Sequence, residues 1–567
     1  MFRTSTHVAR NVTRHLTGAS LRGLASVVSQ ESDIVIVGGG PAGLALASAL
    51  NSDRLLRDTL RVTLVEASDL DKVRNWTQGQ DAFSNRVSSI TNASQGFLSD
   101  IGAWAHVEDG RTCSIEEMQV WDGISDARIT FSSHDGLPGA GPSSQMARLT
   151  ENLNLQRALL RHLDSSSAIQ VVEKVKVQSI EHEQREGGGW PLVHLSDGRT
   201  LRARLLVGAD GFNSPVRAYA GIQSYGWAYD TTAIVATMNH HPRTLLQAPN
   251  TTAYQRFLPT GPIAFLPLSS TASSLVWSTK PHLAKALLAS DPAILASMIN
   301  SAFRLPEVSL RYLHTLIVES LEGGKPIDAR QIAEEIAWRE RSHGIDAHSA
   351  YSLSGDAVGV PPADADALPP LVTGIQSGTA ASFPLRFNHA DEYLGDGRGA
   401  RTVLIGDAAH TIHPLAGQGL NLGLGDVEAL FRCIHKTVLN GGDIGSRTAL
   451  LPYARERYFE NHKVMSACDK LHKLYASTAE PVVWARSVGL EVLDQLDSVK
   501  AAVMLNAGSY ARQTNVSGAQ LGANVIAEGL MGFGKSLSTA RAVAEGAAGV
   551  VGVGVRGLLQ NLGGPRQ

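Results

Sequence analysis

Three separated segments hold the residues best suited to chemistry. They are Gly38-Gly39-Gly40-Pro41-Ala42-Gly43, Gly208-Ala209-Asp210-Gly211-Phe212-Asn213-Ser214-Pro215-Val216-Arg217 and Gly406-Asp407-Ala408-Ala409-His410. In Gly38-x-Gly40-x-x-Gly43 the first glycine permits a tight turn. The second lets a pyrophosphate approach the backbone, and the third lets helix and strand pack closely. Phosphate charge then sits at a helix N-terminus, where free N–H groups and the helix dipole favour it. Glu66 lies 23 residues after Gly43 and offers its carboxylate to a ribose hydroxyl. This pattern predicts a bound dinucleotide without separating FAD from NAD.

The third segment separates them. Asp407 follows the apolar run Val403-Leu404-Ile405 and a glycine, a place from which a carboxylate reaches a polyol such as ribityl. Next come His413-Pro414-Leu415-Ala416-Gly417-Gln418-Gly419-Leu420-Asn421-Leu422-Gly423. Glycines just before a helix leave N–H groups facing a ligand, which suits the negative charge that reduced flavin carries near N1. In the second segment Asp210 and Arg217 flank a sharp turn. Arg217 is open to pairing with a flavin phosphate or with a surface carboxylate. The three segments together read as one FAD site.

The elements that must position these residues are visible as patterns. Ile34-Val35-Ile36-Val37 and Leu205-Leu206-Val207 suit buried parallel strands, and 44–50 an Ala/Leu-rich helix. Arg61-Val62-Thr63-Leu64-Val65-Glu66 completes a βαβ opening. The expected fold is α/β: a Rossmann-like FAD-binding domain, a β-sheet substrate domain and C-terminal helices. The division expected is FAD-binding domain at 31–217, with a strand and loop excursion near 115–145, then the sheet domain at 218–395. A loop insertion falls near 322–370, the FAD-binding domain resumes at 396–440, helices fill 441–510, and a low-complexity tail occupies 511–567.

Of the 567 residues, 43% are hydrophobic and 18% charged, with a net charge of -3, so no basic field invites nucleic acid. The three cysteines lie far apart and suit a reducing compartment. Residues 1–30 hold Arg3, Arg10, Arg14 and Arg22 but no Asp or Glu, and read as a mitochondrial transit peptide. No metal is expected: the 19 histidines include no H-E-x-x-H spacing. His413 is either flavin-adjacent or structural.

The three segments resemble those of the class A flavoprotein monooxygenases, the p-hydroxybenzoate hydroxylase type. More narrowly, Phe383-Pro384-Leu385, the 405–410 and 413–423 stretches, and Gln255-Arg256-Phe257-Leu258-Pro259-Thr260-Gly261-Pro262-Ile263-Ala264-Phe265-Leu266-Pro267-Leu268 resemble the mitochondrial ubiquinone-biosynthesis hydroxylases. The resemblance spans roughly 32–510. It implies FAD contacts at Gly38, Gly40, Gly43, Glu66, Asp210, Asp407, Gly417, Gln418, Gly419, Leu420 and Asn421, with Arg86 beside the flavin. It implies insertion of one oxygen of O2 into a polyprenyl-4-hydroxybenzoate-type ring at C5, through a C4a-hydroperoxyflavin. The flavin carries the difficult chemistry, so no protein nucleophile is needed.

Tyr254, Arg256, Phe257 and Pro414 are candidates for the ring pocket, with sheet packing and surface charge as the other reading of Tyr254 and Arg256. A polyprenyl chain requires an apolar channel, expected between the 257–268 strand pair and the Phe383-Pro384-Leu385 turn. The resemblance also implies a ferredoxin with its reductase as electron donor and other ubiquinone-biosynthesis proteins in a complex. It places the protein peripherally on the matrix side of the mitochondrial inner membrane, where the 546–555 run could lie in the interface. A flavin hydroxylase of a soluble phenol or kynurenine-like compound, and a non-catalytic flavoprotein scaffold, are the alternatives.

Overall fold

The computed structural model describes residues 29–79, 81–133, 145–166, 168–185, 189–243, 247–353, 362, 364–494 and 500. The expected leader lies outside them except for its last two residues, and the expected tail with its 546–555 run lies wholly outside.

The β-branched run at 34–37 is fully to nearly fully buried because it occupies the middle of a parallel sheet. Among the described residues this sheet runs Ile169–Val172, Val62–Val65, Gln30–Val37, Thr200–Gly208, Pro191–Leu195, Val177–His182. Thr402–Leu404 pairs in parallel with the C-terminal half of Thr200–Gly208, bringing the third glycine segment beside the second. The Pro41–Ser52 helix packs on one face with the Gln418–Leu439 helix, and their apolar side chains join the strands in one core.

The second sheet has nine strands among the described residues. Its order is His410–Thr411, Ala381–Ala390, Ser224–His240, Ala272–Thr279, Gly261–Pro267, Thr252–Leu258, Glu117–Asp122, Arg128–Ser132, with Val372–Ile375 also on Ser224–His240. The excursion read near 115–145 thus supplies two strands to the distant sheet. The pairing of Thr252–Leu258 with Glu117–Asp122 is parallel, while its other neighbour, Gly261–Pro267, is antiparallel.

One face of this sheet packs on a helical layer that composition concealed: Pro281–Ala289, Pro292–Arg304, Glu307–Glu322 and Ala329–Ser342. The last is closed by a full capping box at Asp328 and Gln331, so part of the stretch read as a loop insertion at 322–370 is a helix. The Arg447–Ala476 and Glu480–Asp494 helices follow at the C-terminal side. No helix among the described residues is long and apolar enough to cross a membrane.

Candidate active site

The first glycine segment is shaped by contacts that exclude side chains. Gly38 has φ +111°, and a Cβ there would lie 2.2 Å from the Ala209 carbonyl oxygen. A Cβ on Gly43 would lie 1.9 Å from the Gly38 oxygen. Gly40 is different: a Cβ there would meet nothing within 4 Å. It is the N-cap of the Pro41–Ser52 helix and offers no side-chain cap, so open space lies over uncapped helix amides. Glu66 accepts the Gly39 amide at 2.5 Å and the Ser68 amide at 2.7 Å, which fixes its carboxylate and leaves lone pairs for a hydroxyl donor.

The second segment closes against the first. The Asp210 Oδ2 accepts the Val216 amide at 3.0 Å, while its Oδ1 is buried without a partner. Burial raises the Asp210 carboxyl pKa, with Ser214 and the Val216 amide pulling the other way. Among the described residues Arg217 forms no ion pair with a surface carboxylate. It donates to the backbone oxygens of Ala408 at 2.7 Å and Phe212 at 2.6 Å, so it ties the second segment to the third.

In the third segment Gly406 has φ +58° and begins a one-turn helix through Ala408. Asp407 reaches solvent, yet enough protein surrounds it that desolvation raises its carboxyl pKa. No protein group hydrogen-bonds its carboxylate among the described residues. Behind the turn, Asp426 accepts from the Gly406 amide, Arg457 Nε and Asn461 Nδ2 and pairs with His410 Nε2. Sequence reading missed this network, because residues 406, 410, 426, 457 and 461 share no local pattern.

Gly417, left-handed at φ +62°, starts the Gln418–Leu439 helix with no side-chain cap. Gly417 and Gln418 line the cavity described below, and Gly419 packs near Ile412. The Asn421 side chain is committed to the protein: it accepts the Thr91 amide at 3.0 Å and donates to the Ser89 oxygen at 2.7 Å. It pins the Val87–Thr91 strand to the helix start. Leu420 is partly buried against the main core, and Arg86 is exposed just before that strand.

A cavity of about 490 Å³ adjoins these elements. Its lining runs from Gly417 and Gln418, past His413 and Pro414, to Leu471 and Leu493, which are more than one-third exposed. The sheet wall is Ala253, Gln255, Phe257, Pro262, Ala264 and Leu266, continued on the neighbouring strands of the same sheet by Met118, Val120, Ile129 and Phe131. Phe257 and Pro414 therefore line it. Tyr254 and Arg256 do not, because successive side chains on a strand point to opposite faces. Tyr254 accepts from Arg243 at 2.6 Å on the helical side. Arg256, only 2% exposed, donates to the Ala302 and Leu305 oxygens, so it is not a surface charge. Phe383 and Leu385 lie in the Ala381–Ala390 strand and do not line the cavity, whereas Leu471, Tyr475 and Leu490 of the C-terminal helices do.

His413 is buried, and its pKa is pushed down to about 3 by desolvation, with His472 adding to the effect. The Leu415 amide donates to its Nδ1 at 3.2 Å, so the proton of the neutral ring sits on Nε2, which has no protein partner.

These features fit FAD. Open backbone over Gly40 and an uncapped helix suit a pyrophosphate, Glu66 a ribose, unpaired Asp407 a ribityl hydroxyl, and the Gly417 helix start the flavin ring edge. The orphaned Asp210 Oδ1 adds a buried acceptor awaiting a donor.

Residues 31–312 and 367–467 match the FAD binding domain family. The chain is 37% identical over 496 residues to the mitochondrial ubiquinone biosynthesis monooxygenase COQ6 of Saccharomyces cerevisiae, covering 85% of this chain and 96% of the relative. It is 35% identical over 480 residues to the protein of the same name from Homo sapiens, covering 83% and 91%. Among solved structures, p-nitrophenol 4-monooxygenase PnpA from Pseudomonas putida shares the fold with a TM-score of 0.55 at 16% identity, covering 86% of this chain and all of that one. Pseudomonas aeruginosa PqsL in complex with 2-aminobenzoylacetate does so with a TM-score of 0.53 at 20% identity, covering 84% of this chain and all of that one. Its cofactor is FAD, and by family match and by identity over most of its length the chain belongs to the ubiquinone biosynthesis monooxygenases, a family of FAD-dependent hydroxylases.

Proposed function

We propose that this FAD-dependent monooxygenase of ubiquinone biosynthesis hydroxylates a polyprenyl-4-hydroxybenzoate-type ring at C5, with the prenyl chain lying in the apolar cavity. The cavity carries the reading. Its hydrocarbon walls connect the helix start at Gly417 to exposed leucines at the molecular surface. A small soluble phenol would leave most of that lining uncovered, whereas each buried CH₂ of a prenyl chain contributes roughly 0.8 kcal/mol.

FAD, when bound, supplies the activation of O2. The chain's own residues bind and orient. Gly38, Gly40, Gly43, Glu66, Asp210 and Asp407 hold the dinucleotide, with Arg86 at its flavin side. The uncapped amides from Gln418 to Leu420 present positive dipole to the flavin ring, with Asn421 holding that helix start in register. The walls exclude water, and Phe257 and Pro414 bound the space for the aromatic ring.

Electrons come from a ferredoxin and its reductase in this reading, supported by a single dinucleotide-binding loop in the described chain. The protein works peripherally on the matrix side of the inner membrane beside other ubiquinone-biosynthesis proteins, supported by relatives named mitochondrial and by the basic, Ser- and Thr-rich start of the sequence. Purified full-length protein with FAD, a ferredoxin–reductase pair, the prenylated phenol and isotopically heavy O2 should give a product with one heavy ring oxygen. Unlabelled product, or none with any reductant, would overturn the substrate assignment. Rapid flavin reduction by NADPH alone would overturn the donor assignment.

A further inference from the structure

Across the sheet wall of the cavity, Val120, Gln255, Ala264 and Val276 lie abreast on four strands, as the strand pairings Gln255 to Val120, Gln255 to Ala264 and Ala264 to Val276 require. Three are hydrocarbon and one is a carboxamide. Along its own strand, the cavity neighbours of Gln255 are Ala253 and Phe257, also without a polar side-chain atom. Gln255 is only 5% exposed. Its side-chain oxygen and nitrogen meet no hydrogen-bond partner among the described residues, although the residue lines the cavity.

With no protein partner and only the open cavity to face, the Gln255 amide gains little there that a leucine or methionine of similar length would not match. The strand tolerates it at a position facing open space, where a ligand could satisfy it. An amide is also neutral, and it donates and accepts at once. It therefore recognises an oxygen substituent without adding a charge to the mostly apolar sheet wall.

We propose that Gln255 is the residue that selects the aromatic head group, by hydrogen-bonding an oxygen substituent on the ring. This rests on the ring-hydroxylase reading. The sheet wall around Gln255 is hydrocarbon apart from Ser278, so discrimination on this wall falls to Gln255, while Gln418, His413 and Lys500 stand elsewhere in the lining. A head group lacking the oxygen leaves that amide unpaired and is rejected.

The test compares 2-farnesylphenol with farnesylbenzene, which differ by one oxygen, as ligands of the FAD-loaded full chain and of its Gln255→Leu variant. The parent should bind the phenol about tenfold more tightly, the effect of one net hydrogen bond. Gln255→Leu should bind both compounds alike, retain FAD, and melt at the same temperature or higher, because a buried unpaired amide has been removed. A side chain that merely supported the sheet would lower the melting temperature on substitution. Gln255→Leu keeping the parent's preference would overturn the proposal, as would loss of FAD or of stability. Gln255→Glu should bind the phenol more weakly than the parent at a pH where the carboxylate is charged and recover as it protonates; an unchanged pH profile would also overturn it. If the parent binds neither compound, the ring-hydroxylase reading falls together with this one.

Discussion

His410 Nε2 lies 2.6 Å from Asp426 Oδ2, and both side chains are completely buried. The same carboxylate oxygen accepts the Gly406 amide at 3.0 Å, so the pair holds the turn that carries Asp407. Its other oxygen takes Arg457 and Asn461; burial alone would raise the Asp426 carboxyl, and its contacts with His410, Arg457 and Asn461 hold it down at about 2.

Asp426→Asn should therefore destabilise the fold and weaken FAD retention together. An amide cannot accept from all four donors, and Arg457 loses its charge partner. Breaking a buried pair in this way costs about 3–5 kcal/mol. Thermal melting and flavin content of the purified variant measure it; a variant as stable and as yellow as the parent would show that the network does not support the turn.

Gly40→Ala and Gly43→Ala should part company. A methyl on Gly40 enters open space, so the apoprotein should fold with an unchanged melting temperature while FAD affinity falls at least about tenfold, or ~1.4 kcal/mol. A methyl on Gly43 lands 1.9 Å from the Gly38 oxygen and should prevent folding of the first sheet. Equal behaviour of the two variants would contradict this assignment of the open space.

Asp407→Ala should cost ~1.5–3 kcal/mol of flavin binding, the value of a hydrogen bond to a charged group. Because the carboxylate has no hydrogen-bond partner among the described residues, the apoprotein's stability should not fall. Flavin fluorescence titration and apoprotein melting check the two halves separately, and unaltered flavin affinity would refute the placement.

Adjacent residues on one strand should respond oppositely to charge. Ala264→Asp faces the cavity and should block substrate while FAD stays bound. Phe265→Asp faces the fully packed helical layer and should unfold the domain, since an unpaired buried charge costs several kcal/mol. Loss of flavin from the Ala264 variant would mean that this face belongs to a closed core.

Three buried histidines make the fold acid-sensitive. Desolvation pushes His413 down to about 3 and His389 and His314 down to about 4. Each binds its proton more weakly folded than unfolded. Their contribution is complete above the unfolded value near 6.5 and is lost as pH falls from there toward 4. Stability should decline by up to ~1.4 kcal/mol per pH unit for each histidine. Denaturant titrations between pH 7 and 5 should show it, and His413→Gln should flatten the slope; a flat parent profile would be inconsistent with neutral buried rings.

The amino-acid sequence determined the dinucleotide loop, because what it needs is local. Gly38, Gly40 and Gly43 act through backbone angles and close approaches within a few residues, and the buried strands are continuous apolar runs. It also pointed to a strand pair over 257–268. It did not determine which face of that strand meets the cavity, so Tyr254 and Arg256 were read as lining beside Phe257, whereas Gln255 and Phe257 line it. That choice depends on a strand some 135 positions earlier pairing beside Thr252–Leu258 and on four helices covering the other face. The partners of Arg217 and Asp426 were hidden for the same reason. Ala408 lies 191 residues from Arg217, and Arg457 lies 31 residues from Asp426. Contacts over such separations follow from sheet order and helix packing, and only the folded chain decides those.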